Sequence, residues 1–172
     1  MKNRKTMSYL IFCLGVCGFL VSACATKPAT VYQNLEKKDL SEFAYILEEN
    51  INGVLANRNG ETLRTQIITF SFVEDNKAYF CTTSDKPLYA QLLAFPYVSY
   101  CTYPENFEPV LSINGKVIFI EDPVLKERAL EGNYYSKRNF KSIDNPLLRV
   151  FCIDVETIET FAYTGAEIYT TR

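Results

Sequence analysis

Five side chains in one short stretch carry the chemistry this chain offers most plainly. From Glu61 to Lys86 the sequence reads ETLRTQIITFSFVEDNKAYFCTTSDK, with Arg64 near its start and Thr82, Thr83, Ser84 and Lys86 at its end. Two cations and a hydroxyl cluster gathered where a strand gives way to a helix suit a phosphate. Charge-assisted hydrogen bonds reach its oxygens, and the opening helix adds N–H groups and the positive end of its dipole. A lysine in the first turn of a helix works against that dipole unless an anion sits nearby. The same residues also suit a plain role, with Arg64 a solvated hairpin-end cation and the hydroxyls ordinary strand and cap residues. Asp85 sets a carboxylate inside the cluster and opposes an anion unless it turns away as the helix cap.

The elements that must hold these residues follow from periodicity. Leu40, Phe43, Ala44, Leu47 and Ile51 form an apolar stripe that predicts a helix over 39–51, capped by Asp39 or Ser41 and ended by Asn52-Gly53. A short strand, Val54 to Arg58, precedes Asn59-Gly60, a two-residue hairpin signal of type I′. The return strand runs from about Thr62 to Val73. Ile68, Phe70 and Phe72 share a face with Arg64 and Gln66, and both faces are apolar in the middle, which predicts a central strand covered on both sides. After the turn at Glu74–Lys77, a third strand runs from Ala78 to Thr83. Ser84-Asp85 then caps a helix with Pro87 in its first turn and Leu88, Leu92 and Phe95 on its buried side.

A fourth strand spans Tyr97 to Tyr103. Val110 to Ile120 is rich in β-formers and contains Asn114-Gly115, either a second hairpin turn or a strand running through with Gly115 at a bulge. Asp122-Pro123 opens a helix that Gly132 closes; residues 134–145 (YYSKRNFKSIDN) read as a basic, aromatic loop; Leu147 to Tyr163 is the last long strand or pair of strands. Short antiparallel strands with few helices predict a mainly β protein, a closed or partly closed barrel with flanking helices.

Composition narrows the function. The chain has 172 residues, 48% hydrophobic, 14% aromatic and 22% charged, with a net charge of −2. That is one folded domain with no basic footprint for nucleic acid. It contains no His, so the commonest general base and metal ligand is missing, and no Ser/His/Asp or Cys/His pair is available. No metal site is expected. Cys81, Cys101 and Cys152 lie in apolar segments without CxxC spacing and read as core thiols.

The N-terminus reads as a leader. Lys2, Arg4 and Lys5 precede an uncharged apolar run, Tyr9 to Val21, that is short for a membrane span. Val21-Ser22-Ala23-Cys24 resembles the bacterial lipobox, in which the Cys is diacylated and becomes the new N-terminus. The alternative is an ordinary signal peptide or an uncleaved anchor. The expected organisation is a signal peptide over 1–23, a tether over 24–38, helical toward its end, and a folded domain over 39–172. Cleavage removes three cations and no acid, taking the net charge from −2 to −5. The expected location is the bacterial cell envelope, lipid-anchored through Cys24, or the cytoplasm if the leader is not processed.

The order of these signals resembles the pyridoxamine 5′-phosphate oxidase-like family of FMN-binding split barrels. The matching segments are GVLANRNGETLRTQIITFSFVEDNKAYFCTTSDKPLYAQLLAFPYVSYCTY and VLSINGKVIFIEDPVLKERAL, within a region from Asp39 to Tyr163. The resemblance implies a homodimer with FMN at the subunit interface. Arg64, Thr82, Thr83 and Lys86 then hold the flavin phosphate, the strand around Thr65, Gln66 and Ile67 lies along the isoalloxazine, and Gln91 adds a polar contact. It also implies that Gly115 stays within one strand. No Trp is present and the Arg-rich C-terminal motif of the true oxidases is missing, which argues against the vitamin B6 reaction; the lack of His argues against the haem-binding and nitroimidazole-reducing branches. The implied activity is an FMN-dependent oxidoreductase. The alternatives are a non-catalytic, lipid-anchored flavin- or anion-binding module and a ligand-free structural lipoprotein.

Overall fold

The computed structural model describes residues 35–102, 104–106 and 108–172. The leader, Cys24 and the tether as far as residue 34 lie outside the described residues. In order, the chain forms β1 (Glu36–Lys37), a 3-10 turn (Leu40–Phe43), α1 (Ala44–Glu49), β2 (Asn52–Asn59), β3 (Thr62–Glu74), β4 (Lys77–Thr83), α2 (Pro87–Ala94), β5 (Tyr97–Thr102), β6 (Val110–Ile120), α3 (Pro123–Glu131), α4 (Tyr134–Phe140), β7 (Leu148–Ala162) and β8 (Gly165–Thr170).

Six antiparallel strands close into a barrel, in the order β7-β4-β3-β2-β5-β6 and back to β7. The split lies in β7. Its first half pairs with β4, from Thr83↔Leu148 to Lys77↔Asp154, while its second half pairs with β8, from Thr157↔Thr170 onward. β6 runs alongside both halves. Alternation on each strand sends one set of side chains inward. Phe70, Phe80, Tyr100, Ile113 and Phe151 fill the interior, with Phe80 stacked on Phe151 at 5.4 Å and tilted on Tyr100 at 5.0 Å. Leu40, Ile46 and Leu47 from the N-terminal turns and Leu88 and Leu92 from α2 join that cluster.

A second apolar cluster lies outside the barrel, where Tyr79 and Cys81 of β4 and Val150 and Cys152 of β7 meet Ala129 and Leu130 of α3. The strand covered on both faces is therefore β4 rather than β3. On β3 the inward Ile68 and Phe70 are buried, but Leu63 and Ile67 on the outer face are each 79% exposed. Among the described residues, Cys81, Cys101 and Cys152 are free. Burial pushes the Cys81 and Cys152 thiols up to about 11, as core thiols require.

Several local expectations hold. Asp39 opens the N-terminal turn in a capping box with Glu42, Asp122 caps α3 through Val124 N and Leu125 N, and Pro123 follows it. β6 runs straight through Asn114-Gly115 with a bulge there. The reason is close packing: a Cβ on Gly115 would sit 2.2 Å from the Asp154 carbonyl oxygen.

Others shift. Asn52-Gly53 does not end a helix but starts β2, and a Cβ on Gly53 would lie 2.4 Å from the Tyr100 ring, so this glycine serves close packing rather than a turn. The first hairpin closes one residue later than Asn59-Gly60, at Gly60-Glu61 between paired Asn59 and Thr62. Only Gly60, at φ 65°, has positive φ there; the turn with two such residues is the next one, at Asp75-Asn76. Residues 36–37 pair in parallel with β8 instead of forming a helix. The basic stretch after Gly132 is helical, because the Asn133 side chain accepts from Ser136 N and caps α4. The chain past Tyr163 returns as β8.

Candidate functional site

The site is built where β3, the end of β4 and the start of α2 converge. Lys86, not Ser84 or Asp85, is the residue that caps α2, with extended backbone and no side-chain cap bond; Pro87 takes the first helical position. Lys86 N–H donates to the Thr83 carbonyl at 3.3 Å and Ser84 N–H to the Leu147 carbonyl at 2.9 Å, which fixes the junction against the start of β7. Asp85 is exposed and makes no ion pair among the described residues, so it neither caps the helix nor neutralises Lys86.

Two clefts meet at Lys86. The first, about 280 Å³, is lined by Arg64, Thr65, Gln66, Lys86, Pro87, Leu88 and Gln91. The second, about 370 Å³, runs from Ile67–Thr69 across Cys81–Thr83 and Lys86 to a wall made by α4, with Asn133, Tyr135, Ser136, Asn139 and Phe140, and ends at Asn145 and Leu147. Every cofactor-binding residue expected from the resemblance lines one or both, while Ser84 lines neither. Arg64, Thr65, Gln66 and Gln91 fall in the first, Ile67, Thr82 and Thr83 in the second, and Lys86 in both.

An amide chain braces the first cleft. Gln66 Nε2 donates to Asn57 Oδ1 at 3.2 Å, and Asn57 Nδ2 donates to Gln91 Oε1 at 2.8 Å, tying β3 to β2 and α2. Asn57 is 2% exposed. Its role escapes sequence reasoning aimed at charges, yet it has a signal: a polar residue on the inward register of β2, two positions after Leu55. Asn133 is the second residue missed. It caps α4 and donates from Nδ2 to the Thr69 carbonyl at 3.1 Å, bolting the α4 wall to β3.

The electrostatics of the clefts are one-sided. Arg64 and Lys86 make no ion pair among the described residues, and no carboxylate lines either cleft. The Thr83 hydroxyl is buried without a hydrogen-bond partner. An orphaned buried hydroxyl costs about 1–3 kcal/mol, which an acceptor placed in the cleft relieves. Burial keeps the Cys81 thiol protonated at neutral pH, so it lines the second cleft without being a nucleophile. What these groups can do is receive an anion: Arg64 in the first cleft and Thr83 in the second flank Lys86, which lines both at the N-terminal end of α2.

No protein-family model matches the chain, and no curated protein matches it. Solved structures do. A NimC/NimA family protein from Clostridium acetobutylicum aligns with a TM-score of 0.67 at 20% identity, over 76% of this chain and 91% of that one. A protein from Listeria innocua assigned as a pyridoxamine 5′-phosphate oxidase aligns at 0.61 and 27% identity, over 70% and 96%. A haem-binding protein from Mycobacterium smegmatis aligns at 0.64 and 15% identity, over 80% of this chain and 60% of that one. The fold is that of these neighbours: a split barrel like those of the pyridoxamine phosphate oxidase-like proteins.

Proposed function

We propose that this chain is an FMN-binding oxidoreductase of the pyridoxamine 5′-phosphate oxidase-like family, acting as a homodimer and anchored to the cell envelope through a lipid on Cys24. The observation that carries the proposal is Lys86, shared by a cleft lined by Arg64 and one lined by the unpartnered Thr83 hydroxyl, with neither cation in an ion pair among the described residues. A flavin phosphate brings nearly two negative charges and several acceptor oxygens, which these groups match in number and kind. Arg64 and Lys86 hold the phosphate, with Thr82 and Thr83 as hydroxyl donors. The β3 backbone from Thr65 to Thr69 supports the isoalloxazine, and Gln66 and Gln91, already braced through Asn57, present amides beside it. Leu63 and Ile67, exposed on the outer face of β3, are covered by the second protomer. The α4 wall, with Tyr135 and Asn139, faces the substrate side. The flavin supplies the redox chemistry; the chain binds it, orients it and excludes water.

A haem held by histidine has no ligand in a chain without His. A second reading, a non-catalytic flavin- or anion-binding module, is favoured by one observation: no carboxylate lines the clefts and the Cys81 thiol is protonated, so proton transfer has few agents besides Lys86. Native mass spectrometry of protein purified from its membrane tests the proposal. The expected result is a dimer carrying FMN, with a diacylglyceryl group on Cys24. A dimer with flavin that turns over no electron donor or acceptor favours the second reading, and a flavin-free chain that takes up no added FMN sinks both flavin readings.

A further inference from the structure

A third cavity, about 470 Å³, lies between the N-terminal turns and the β7–β8 hairpin and shares no lining residue with the clefts at Lys86. Phe43, Phe161 and Tyr169 form its apolar lining, and Phe43 packs on Tyr169 at 5.4 Å. Around it three aromatic side chains stand out into solvent: Tyr45 is 54%, Phe161 50% and Tyr163 76% exposed. No hydrogen bond or ring contact holds the Tyr45 or Tyr163 side chain among the described residues.

Two features say what covers this edge. The first is where the chain leaves the described structure. β1 pairs with the end of β8, through Glu36↔Tyr169 and Lys37↔Thr170, so the described residues begin at the sheet edge beside β8. The second is charge. Lys38 lies over the Tyr169 ring at 5.7 Å and is already paired with Glu36 and Glu42. Glu167 accepts from the Tyr169 hydroxyl, and Glu108 accepts from Tyr163 N–H at 3.0 Å. The rim therefore offers aromatic side chains without a free cluster of cations. Tyrosine and phenylalanine in that setting prefer the boundary between headgroups and acyl chains, and without a basic patch they have no need of anionic lipid.

We infer that Tyr45, Phe161 and Tyr163 dock into the interface of a zwitterionic bilayer and seat the lipid-anchored protein with the α1 and β7–β8 edge against the membrane. This rests on the lipid anchor at Cys24 proposed above. The competing face is α4, where Tyr134 is exposed beside Arg138 and Lys141, neither in an ion pair among the described residues; a protein held by anionic lipid would turn that face down instead.

The chain has no Trp, so a single introduced tryptophan reports its own position. The full chain, expressed in a host that processes lipoproteins, is reconstituted into phosphatidylcholine vesicles with brominated acyl chains. Three variants are compared: Phe161→Trp, Tyr163→Trp and Tyr134→Trp. The expected result is blue-shifted emission and severalfold stronger quenching for the first two than for Tyr134→Trp, unchanged when anionic lipid is added. Equal quenching at all three positions, or stronger quenching at 134, overturns the inference. The mass of the same preparations reads the lipid on Cys24 separately. An unlipidated chain that still shows the expected order counts for the docking edge and against the anchor.

Discussion

Strands β3 and β4 are neighbours in one barrel and are treated very differently by the fold. β4 is covered on both faces: Phe80 points into the barrel core, while Tyr79 and Cys81 point out against α3. β3 sends Ile68 and Phe70 inward but leaves Leu63 and Ile67 bare on its outer face. Both strands carry apolar residues at both parities, so hydrophobicity alone does not separate them. The difference lies in what the rest of the chain supplies. α3 follows β6 and falls across the outer face of β4 and only part of β3, whose first half is left without a helix. That uncovered apolar face is the one the proposed second subunit would cover.

That comparison can be broken at four points, in decreasing order of effect. Phe80→Ala empties a site at the centre of the aromatic cluster and should lower unfolding stability by about 3–5 kcal/mol, measured by denaturant titration. A loss as small as a surface substitution would mean that the barrel interior is not packed around β4. Arg64→Ala and Lys86→Ala should each weaken FMN binding by about 1.5–3 kcal/mol while leaving the unfolding midpoint of the flavin-free protein in place. Affinity unchanged in both variants would remove the phosphate clamp from the account.

The third point uses pH. Folding holds the Cys81 and Cys152 thiols at about 11, above their ordinary 9.0, through burial. The unfolded chain therefore loses these protons first as pH rises. Their contribution is fully present below pH 9 and fades between 9.0 and about 11. The Cys81→Ala, Cys152→Ala double variant should flatten that alkaline decline; an identical decline in both proteins would mean that α3 does not seal the outer face of β4. The smallest effect is expected on the bare face. Ile67→Ala should change protomer stability by no more than about 0.5 kcal/mol, whereas Ile67→Asp should shift sedimentation from dimer toward monomer. A dimer indifferent to Ile67→Asp places the subunit contact elsewhere.

Much of the barrel was legible in the sequence, since β2 to β6 follow period-2 alternation between recognisable turns and Asp122-Pro123 announces α3. The errors are of two kinds: turn and cap signals right in type but off in register, and segments whose type is set by tertiary contacts rather than by local pattern. Asn59-Gly60 marks a hairpin, yet strand pairing moves the turn to Gly60-Glu61, because the register is set by the whole β2–β3 ladder rather than by two residues. Ser84 and Asp85 have the chemistry of helix caps, but Pro87 imposes an extended conformation on Lys86, and the cap falls there. The stretch 134–140 lacks a strong apolar stripe; its helicity comes from the Asn133 cap and from packing on α3. β8 is polar and Gly-initiated, and it is a strand because β7 offers it an edge. The candidate site was legible in its cations and hydroxyls: of those singled out in the sequence, Arg64, Lys86, Thr82 and Thr83 line the two clefts and Ser84 does not. Its scaffolding was not: Asn57 and Asn133 act through contacts 9 to 64 residues away in sequence, which no local pattern encodes.

The central claim is that the clefts meeting at Lys86 hold a flavin through its phosphate. The most direct test is an equilibrium titration of the purified, flavin-free protein, followed by flavin fluorescence, with FMN and riboflavin side by side. The account predicts saturable binding of FMN at one per protomer and much weaker binding of riboflavin, which lacks the phosphate. Equal affinity for the two, or no saturable binding of FMN, would contradict it.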